Sequence, residues 1–168
     1  MTLRAVTVSD IPMVRAIAHA TWPVCYAGII TPAQIAYMLD LMYSEAALHG
    51  QLTHGHEFLS AENNGTAIGF AGFEHRYRPG RTRLHKLYVL PAAQGTGAGR
   101  ALLQAVLDAA RGAGDHTIEL NVNKNNPATA FYRKHGFTID RDEVLDIGGG
   151  FVMDDHVMTR PVVVTGTT

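Results

Sequence analysis

Gln94-Gly95-Thr96-Gly97-Ala98-Gly99-Arg100 decides how the rest of the chain is read. The apolar, strand-like run Leu87-Tyr88-Val89-Leu90 precedes it, and a helix-like run from Ala101 to Ala113 follows. Three glycines at alternate positions let backbone come close to a ligand. The helix start behind them offers unpaired N–H groups and the positive end of a dipole. Strand, glycine turn and helix in that order make a phosphate cradle. Two common cradles fail on residue type. A P-loop needs Lys-Ser or Lys-Thr after its glycines, and neither is present. The dinucleotide pattern G-x-G-x-x-G ends on Arg100 when begun at Gly95, and on Leu102 when begun at Gly97. Glu119 lies near where a ribose-binding acid would stand, but without the glycines that placement carries no weight.

The pattern that does fit is Gln-x-x-Gly-x-Gly, filled by Gln94, Gly97 and Gly99. With it the chain resembles the GNAT family of acetyl-CoA-dependent N-acetyltransferases, whose members carry [Arg/Gln]-x-x-Gly-x-[Gly/Ala] after a strand. A second stretch strengthens the resemblance. Asn125-Asn126-Pro127-Ala128-Thr129-Ala130-Phe131-Tyr132-Arg133-Lys134-His135-Gly136-Phe137 is similar to the family's later motif, Asn-x-x-Ala-x-x-aromatic-Tyr-x-x-x-Gly-Phe. One helix and one strand fit between the two motifs, as the family requires. The resemblance implies an α/β (α+β) fold of the GNAT type: a central mixed, mostly antiparallel sheet of about seven strands with helices on both faces.

A length of 168 residues predicts one domain, over residues 1–161, with a loose tail at 162–168. A net charge of −1 leaves no footprint for nucleic acid or an anionic membrane. No apolar stretch approaches the roughly 20 residues that span a bilayer. Met1 to Val6 lacks the apolar core of a signal peptide, and Cys25 has no partner for a disulfide. A cytoplasmic protein is the expectation.

Patterning predicts a strand at Thr2–Val6, then a helix capped by Ser9 or Asp10 with Pro12 in its first turn. Thr31-Pro32 opens a second helix, and a shorter one covers Ser44 to Leu52. Strands follow at 58–61 and 67–75 around the turn Asn63-Asn64-Gly65. Arg76 to Thr82 reads as a turn and Leu84 to Leu90 as the strand entering the cradle. The helix behind the cradle has an apolar stripe at Leu103, Val106, Leu107 and Ala110. A strand at Thr117–Val122, a helix from Pro127 to Gly136, and a hairpin turning at Gly148-Gly149-Gly150 complete the order.

Acetyl transfer to an amine requires a held thioester, a polarised carbonyl, a deprotonated amine and a protonated leaving thiolate. Backbone from Gln94 through Gly95, Thr96, Gly97, Ala98 and Gly99 to Arg100 is expected to hold the pyrophosphate of acetyl-CoA. The resemblance implies that backbone of Leu87, Tyr88 and Val89, freed by a splayed strand, pairs with the pantetheine arm and the acetyl oxygen. Leu87 and Val89 otherwise read as core. Tyr132 aligns with the family's general acid; packing against Phe131 and Phe137 is its plain alternative. Asn125 is expected at the pantetheine, or else as a helix cap ahead of Pro127. Glu74 is the preferred base, with His75 beside it on the opposite face and Glu119 as a third candidate.

Trp22 and Tyr26 in the first loop either line the acceptor groove or simply pack there. Asp155 shares its strand face with Phe151, Met153 and Val157. It either reads a cationic amine or guards an edge strand. Gly-Gly-Gly-Phe-Val-Met-Asp-Asp, together with Thr-Trp-Pro-Val-Cys-Tyr, is similar to a bacterial branch that acetylates polyamines. A primary amine acceptor is expected, with a polyamine as one candidate and protein N-termini as another. A non-catalytic acyl-CoA sensor on the same fold is the alternative class. His49, His54 and His56 form the one histidine cluster in the sequence; they lack H-E-x-x-H or a cysteine pair, and no metal is expected. A homodimer is compatible with this architecture.

Overall fold

Two N-caps visible in the sequence set the helical half of the molecule. The Thr31 and Ser44 side chains accept from the backbone N–H of Gln34 and Ala47, each at 3.1 Å. Each satisfies a donor that the first helical turn would otherwise leave open. The computed structural model describes residues 1–162. Its elements in chain order are β1 (Thr2–Ala5), α1 (Ile11–Cys25), α2 (Pro32–Tyr43), α3 (Glu45–Thr53), β2 (His56–Asn63), β3 (Thr66–Arg78) and β4 (Arg81–Val89). They continue with α4 (Ala98–Gly112), β5 (Thr117–Asn123), α5 (Ala128–Lys134), β6 (Thr138–Gly148) and β7 (Phe151–Pro161). None of the described helices is long and apolar enough to cross a membrane.

The strands form one seven-stranded sheet in the order β1-β2-β3-β4-β5-β7-β6. Every neighbouring pair is antiparallel except β4 and β5. Each face buries its own apolar cluster. One is built by Val14, Ile17 and Trp22 of α1, Met38 and Tyr43 of α2, and Phe58 and Phe70 of the sheet. The other gathers Leu102, Leu103, Val106 and Leu107 of α4 with Ile118, Leu120, Tyr132 and Phe137. Helices therefore lie on both faces, as the motifs imply.

Two irregularities in β4 matter for the site. Gly72 pairs with Lys86, but Phe73 pairs with Leu84, so β4 carries one residue more than β3 at His85. Such a bulge bends the strand and increases its twist. On its other side β4 meets β5 only over Arg81↔Thr117, Thr82↔Ile118 and Arg83↔Glu119. Beyond Arg83 the two parallel strands part, and Leu87, Tyr88 and Val89 keep partners on the β3 side alone.

Some boundaries differ from expectation. The turn predicted over Arg76–Thr82 shrinks to Pro79-Gly80, because the Arg76 N–H donates to Asp115 Oδ2 at 2.9 Å and carries β3 on to Arg78. Val162, assigned to a loose tail, is 5% exposed and its N–H donates to His116 O at 2.8 Å. The remaining tail, 163–168, lies outside the described residues.

Candidate active site

The glycine turn adopts the backbone its composition calls for. Gly95 and Gly97 have φ of 83° and 87°, a region that side chains enter only with strain. Gly97 is the N-cap of α4, and its carbonyl is taken by the Ala101 N–H at 3.0 Å. The N–H groups of Ala98, Gly99 and Arg100 lie ahead of that first bond and have no helical acceptor. They face a cleft of about 990 Å³ lined along one wall by Gln94, Gly95, Gly97, Ala98, Gly99 and Arg100. Thr96, expected to join that row, does not line the cleft. Its N–H and its hydroxyl both donate to Ala93 O, at 3.3 and 2.6 Å, which turns the side chain into the loop.

The cleft runs along the open edge of β4, past Leu87, Tyr88 and Val89, to Tyr132, Asn126 and Cys25. Tyr132 is buried, and burial, followed by the neighbouring Tyr26 and Cys25, pushes its phenol above the usual tyrosine value. The group therefore stays protonated at working pH. Asn125 takes the outward position: it is exposed, does not line the cleft, and donates its N–H to Asn123 Oδ1 at 2.9 Å. That side-chain turn rotates Asn126 inward instead, where its Oδ1 accepts from the Ala128 N–H at 2.9 Å just ahead of α5. The sequence contained both asparagines; only the turn decides which one faces the cleft.

A second pocket of about 220 Å³ lies on the α1–α2 side of the sheet. Trp22, Tyr26, Met38, Tyr43, Met153 and Asp155 contribute to its walls. Tyr26, Leu84, His85, Lys86, Tyr88 and Asn121 line both spaces, so the two meet where β4 and β5 part. The Tyr26 and Tyr88 hydroxyls bond at 2.9 Å across this junction. Asp155 is 2% exposed, and its Oδ2 accepts from Asn121 Nδ2 at 3.3 Å. Burial raises its carboxyl above the usual aspartate range. The edge-guarding alternative for Asp155 falls, because β7 lies between β5 and β6 and has no free edge.

The expected bases separate clearly. Glu119 is fully buried between Arg78, Arg81 and Arg83 at 3.6, 3.8 and 3.6 Å, and it reaches neither space. His75 meets Thr82 and Glu57 and likewise lines neither. Glu74 is outside both linings too; its Oε1 accepts from His85 Nε2 at 3.0 Å and lies 3.3 Å from His56 Nε2. His85, which sequence reading passed over, lines both spaces. No local motif flags it, since its partners come from two other strands.

His56, Glu74 and His85 offer ligand-type atoms within 4.8 Å of one another. This is a different grouping from the His49, His54 and His56 cluster read from sequence. The His56 and His85 rings stack 12° from parallel with centroids 4.4 Å apart. His85 Nε2 is hydrogen-bonded to the Glu74 oxygen, and His56 Nε2 lies in ion-pair range of the same atom.

Lys86 is a buried charge whose cost varies with pH. It is 7% exposed; its Nζ donates to Gln51 Oε1 at 2.8 Å and lies 5.2 Å from the Tyr43 ring centre. Burial brings its pKa down from 10.5 to about 8. The folded state thus holds fewer protons than the unfolded chain between those two values, so stability rises with pH across that window. Below pH 8 the full penalty is present. Lys86→Met is expected to stabilise the fold at pH 7 by about 2 kcal/mol, with the gain shrinking towards pH 10. Urea unfolding at the two pH values reads this; a variant less stable than the parent at pH 7 would contradict it.

A strand-turn-helix anion cradle, opening onto a split between parallel strands that joins it to a second pocket, defines a group-transfer site. A family model described as the acetyltransferase (GNAT) family matches residues 15–137. An uncharacterized N-acetyltransferase of Mycobacterium bovis is 34% identical over 157 residues, covering 92% of this chain and 99% of that protein. The N-alpha-acetyltransferase RimI of Mycobacterium tuberculosis is 38% identical over 102 residues, covering 58% of this chain and 63% of that one. In fold, the chain matches the PaiA N-acetyltransferase of Thermoplasma acidophilum, crystallised with coenzyme A, at a TM-score of 0.79. That match has 24% identity and covers 96% of this chain and 99% of the other. The chain belongs to the GNAT acetyltransferase family and is an N-acetyltransferase by class.

Proposed function

We propose that the chain transfers acetyl from acetyl-CoA directly to the primary amine of a small acceptor seated in the 220 Å³ pocket. The observation that carries this reading is the junction: the long cleft and the small pocket share a wall only where β4 and β5 part. The cleft suits the cofactor by size and by its row of free N–H groups at the α4 start. When bound there, acetyl-CoA supplies the activated acetyl group.

The chain's own residues do the rest. Ala98, Gly99 and Arg100 N–H groups hold pyrophosphate. The open edge of Leu87–Val89 aligns the pantetheine arm and polarises the acetyl oxygen by backbone donation. Tyr132 presents its O–H to the departing sulfur. Trp22, Tyr26, Tyr43 and Tyr88 keep water from the reacting carbonyl.

The pocket's charges narrow the acceptor. Arg83 and Lys86 stand on its β4 wall and Asp155 on its β7 wall. A zwitterion satisfies both, with its ammonium towards Asp155 and its carboxylate towards Arg83. We read the acceptor as an amine carrying a carboxylate, of the amino-acid kind. Asp155 and the aromatic walls also suit a polyamine, though two resident cations oppose a polycation. Steady-state kcat/KM for amino acids, their amides and spermidine separates the readings. Amino acids are expected to exceed their amides by about tenfold or more. A preference for spermidine would transfer the assignment to polyamines.

A further inference from the structure

His85, hydrogen-bonded to Glu74, stands at the shared wall with a chemistry that cofactor binding does not use. His85 Nε2 donates to Glu74 Oε1, which fixes the neutral ring with its proton on Nε2 and its lone pair on Nδ1. His85 Nδ1 has no protein partner among the described residues and is not among the buried unpartnered atoms. It therefore keeps some accessible surface, and His85 lines the junction. The second histidine reinforces the arrangement. His56 stacks on His85 and sends its own Nε2 to the same Glu74 oxygen, while its Nδ1 is buried without a partner. A proton on that buried Nδ1 would have no acceptor, so the neutral form is kept there as well.

We propose that His85 Nδ1 is the general base that takes the proton from the acceptor amine, and that Glu74 and His56 are positioning residues acting through it. This rests on the N-acetyltransferase reading and adds the residue that makes the amine reactive. Glu74, the base expected from sequence, is thereby one bond removed from the substrate. The balance of the step is simple. The ammonium loses one proton to His85 Nδ1, which passes it to solvent. The nitrogen lone pair forms the C–N bond, the C–S bond breaks with its electrons on sulfur, and sulfur takes a proton from Tyr132. The second nitrogen proton returns to Tyr132 through solvent.

Burial and the charges around the ring hold it neutral, with its lone pair available. Glu74 and His56 face His85 from β3 and β2, Arg83 and Lys86 flank it on β4, and Asp155 faces the same pocket from β7. Burial lowers the His85 pKa to about 4, against the opposing hydrogen bond to Glu74. The imidazole is accordingly free to accept at neutral pH. Arg83 and Lys86 disfavour a further cation in the pocket, the ammonium as well as a protonated His85, so the proton passes on to solvent.

The test is the pH profile of kcat/KM for wild type, His85→Gln and Glu74→Gln with a saturable amine, beside NMR titration of the imidazoles in the free protein. Wild-type kcat/KM is expected to hold level down to about pH 6. His85→Gln is expected to lose about 100-fold at pH 7 and to climb about tenfold per pH unit towards the amine's own pKa. Glu74→Gln is expected to lower kcat and move the acid limb downward, with CoA affinity unchanged. NMR should find a neutral His85 with its proton on Nε2 at pH 7. A His85→Gln profile matching wild type overturns the base alone. A His85 ring protonated at pH 7, or activity lost to chelator and restored by zinc, overturns it too. A wild-type chain that acetylates no amine overturns the base together with the reading beneath it.

Discussion

Tyr132→Phe is expected to lower kcat by about 10² to 10³ while leaving CoA affinity and stability near wild type. The ring and the hydroxyl of Tyr132 act separately. The ring packs in the α4-side cluster, 5.3 Å from Phe131 and 5.6 Å from Phe137 by centroids, and phenylalanine preserves those contacts. The hydroxyl lies in a buried wall of the cleft beside Tyr26 and Cys25, and burial keeps its proton in place. Without it, the thiolate leaves unprotonated into a poorly solvated site. Stopped-flow thiol release and a calorimetric CoA titration read the two quantities independently. Unchanged kcat would remove Tyr132 from the acid role and leave it as a packing residue.

Gly97→Asp is expected to weaken CoA binding by about 100-fold or more, through strain at the cradle and charge against pyrophosphate. Its φ of 87° disfavours any side chain, yet a Cβ there meets no protein atom within 4 Å. Strain is therefore about 1–2 kcal/mol, and the remaining loss falls on the ligand. Gly114 offers a matched control. It has a φ of 81°, an equally open Cβ position, and a place beyond the far end of α4, outside the cleft lining. Gly114→Asp should cost similar stability and leave CoA affinity unchanged. Equal loss of affinity in both variants would assign the Gly97 effect to general destabilisation.

Local chemistry made much of the fold legible. Thr31-Pro32 and Ser44 announce helix starts because their hydroxyls cap neighbouring N–H groups, and the Gln94–Arg100 turn announces the cradle because glycine alone tolerates its backbone. What stayed hidden depends on atoms distant in sequence. The Asp115 carboxylate extends β3 by binding the Arg76 N–H 39 residues away. The Asn123 side chain, rather than any motif position, turns Asn125 outward and Asn126 inward. The pair formed by Glu74 and His85 needs both the β3–β4 register and the bulge that places His85 beside the junction. A period-two reading of β4 has no means of seeing that slip. Asp155 looked like an edge guard only while the position of β7 in the sheet was unknown.

The most direct measurement follows free thiol and N-acetylated product together, in one reaction of acetyl-CoA with a panel of amino acids, polyamines and N-terminal peptides. Equal yields of thiol and acetylated amine on at least one member, both suppressed in Tyr132→Phe, are the expected result. Saturable CoA binding with no acetylated product from any amine would contradict direct transfer at the β4–β5 split.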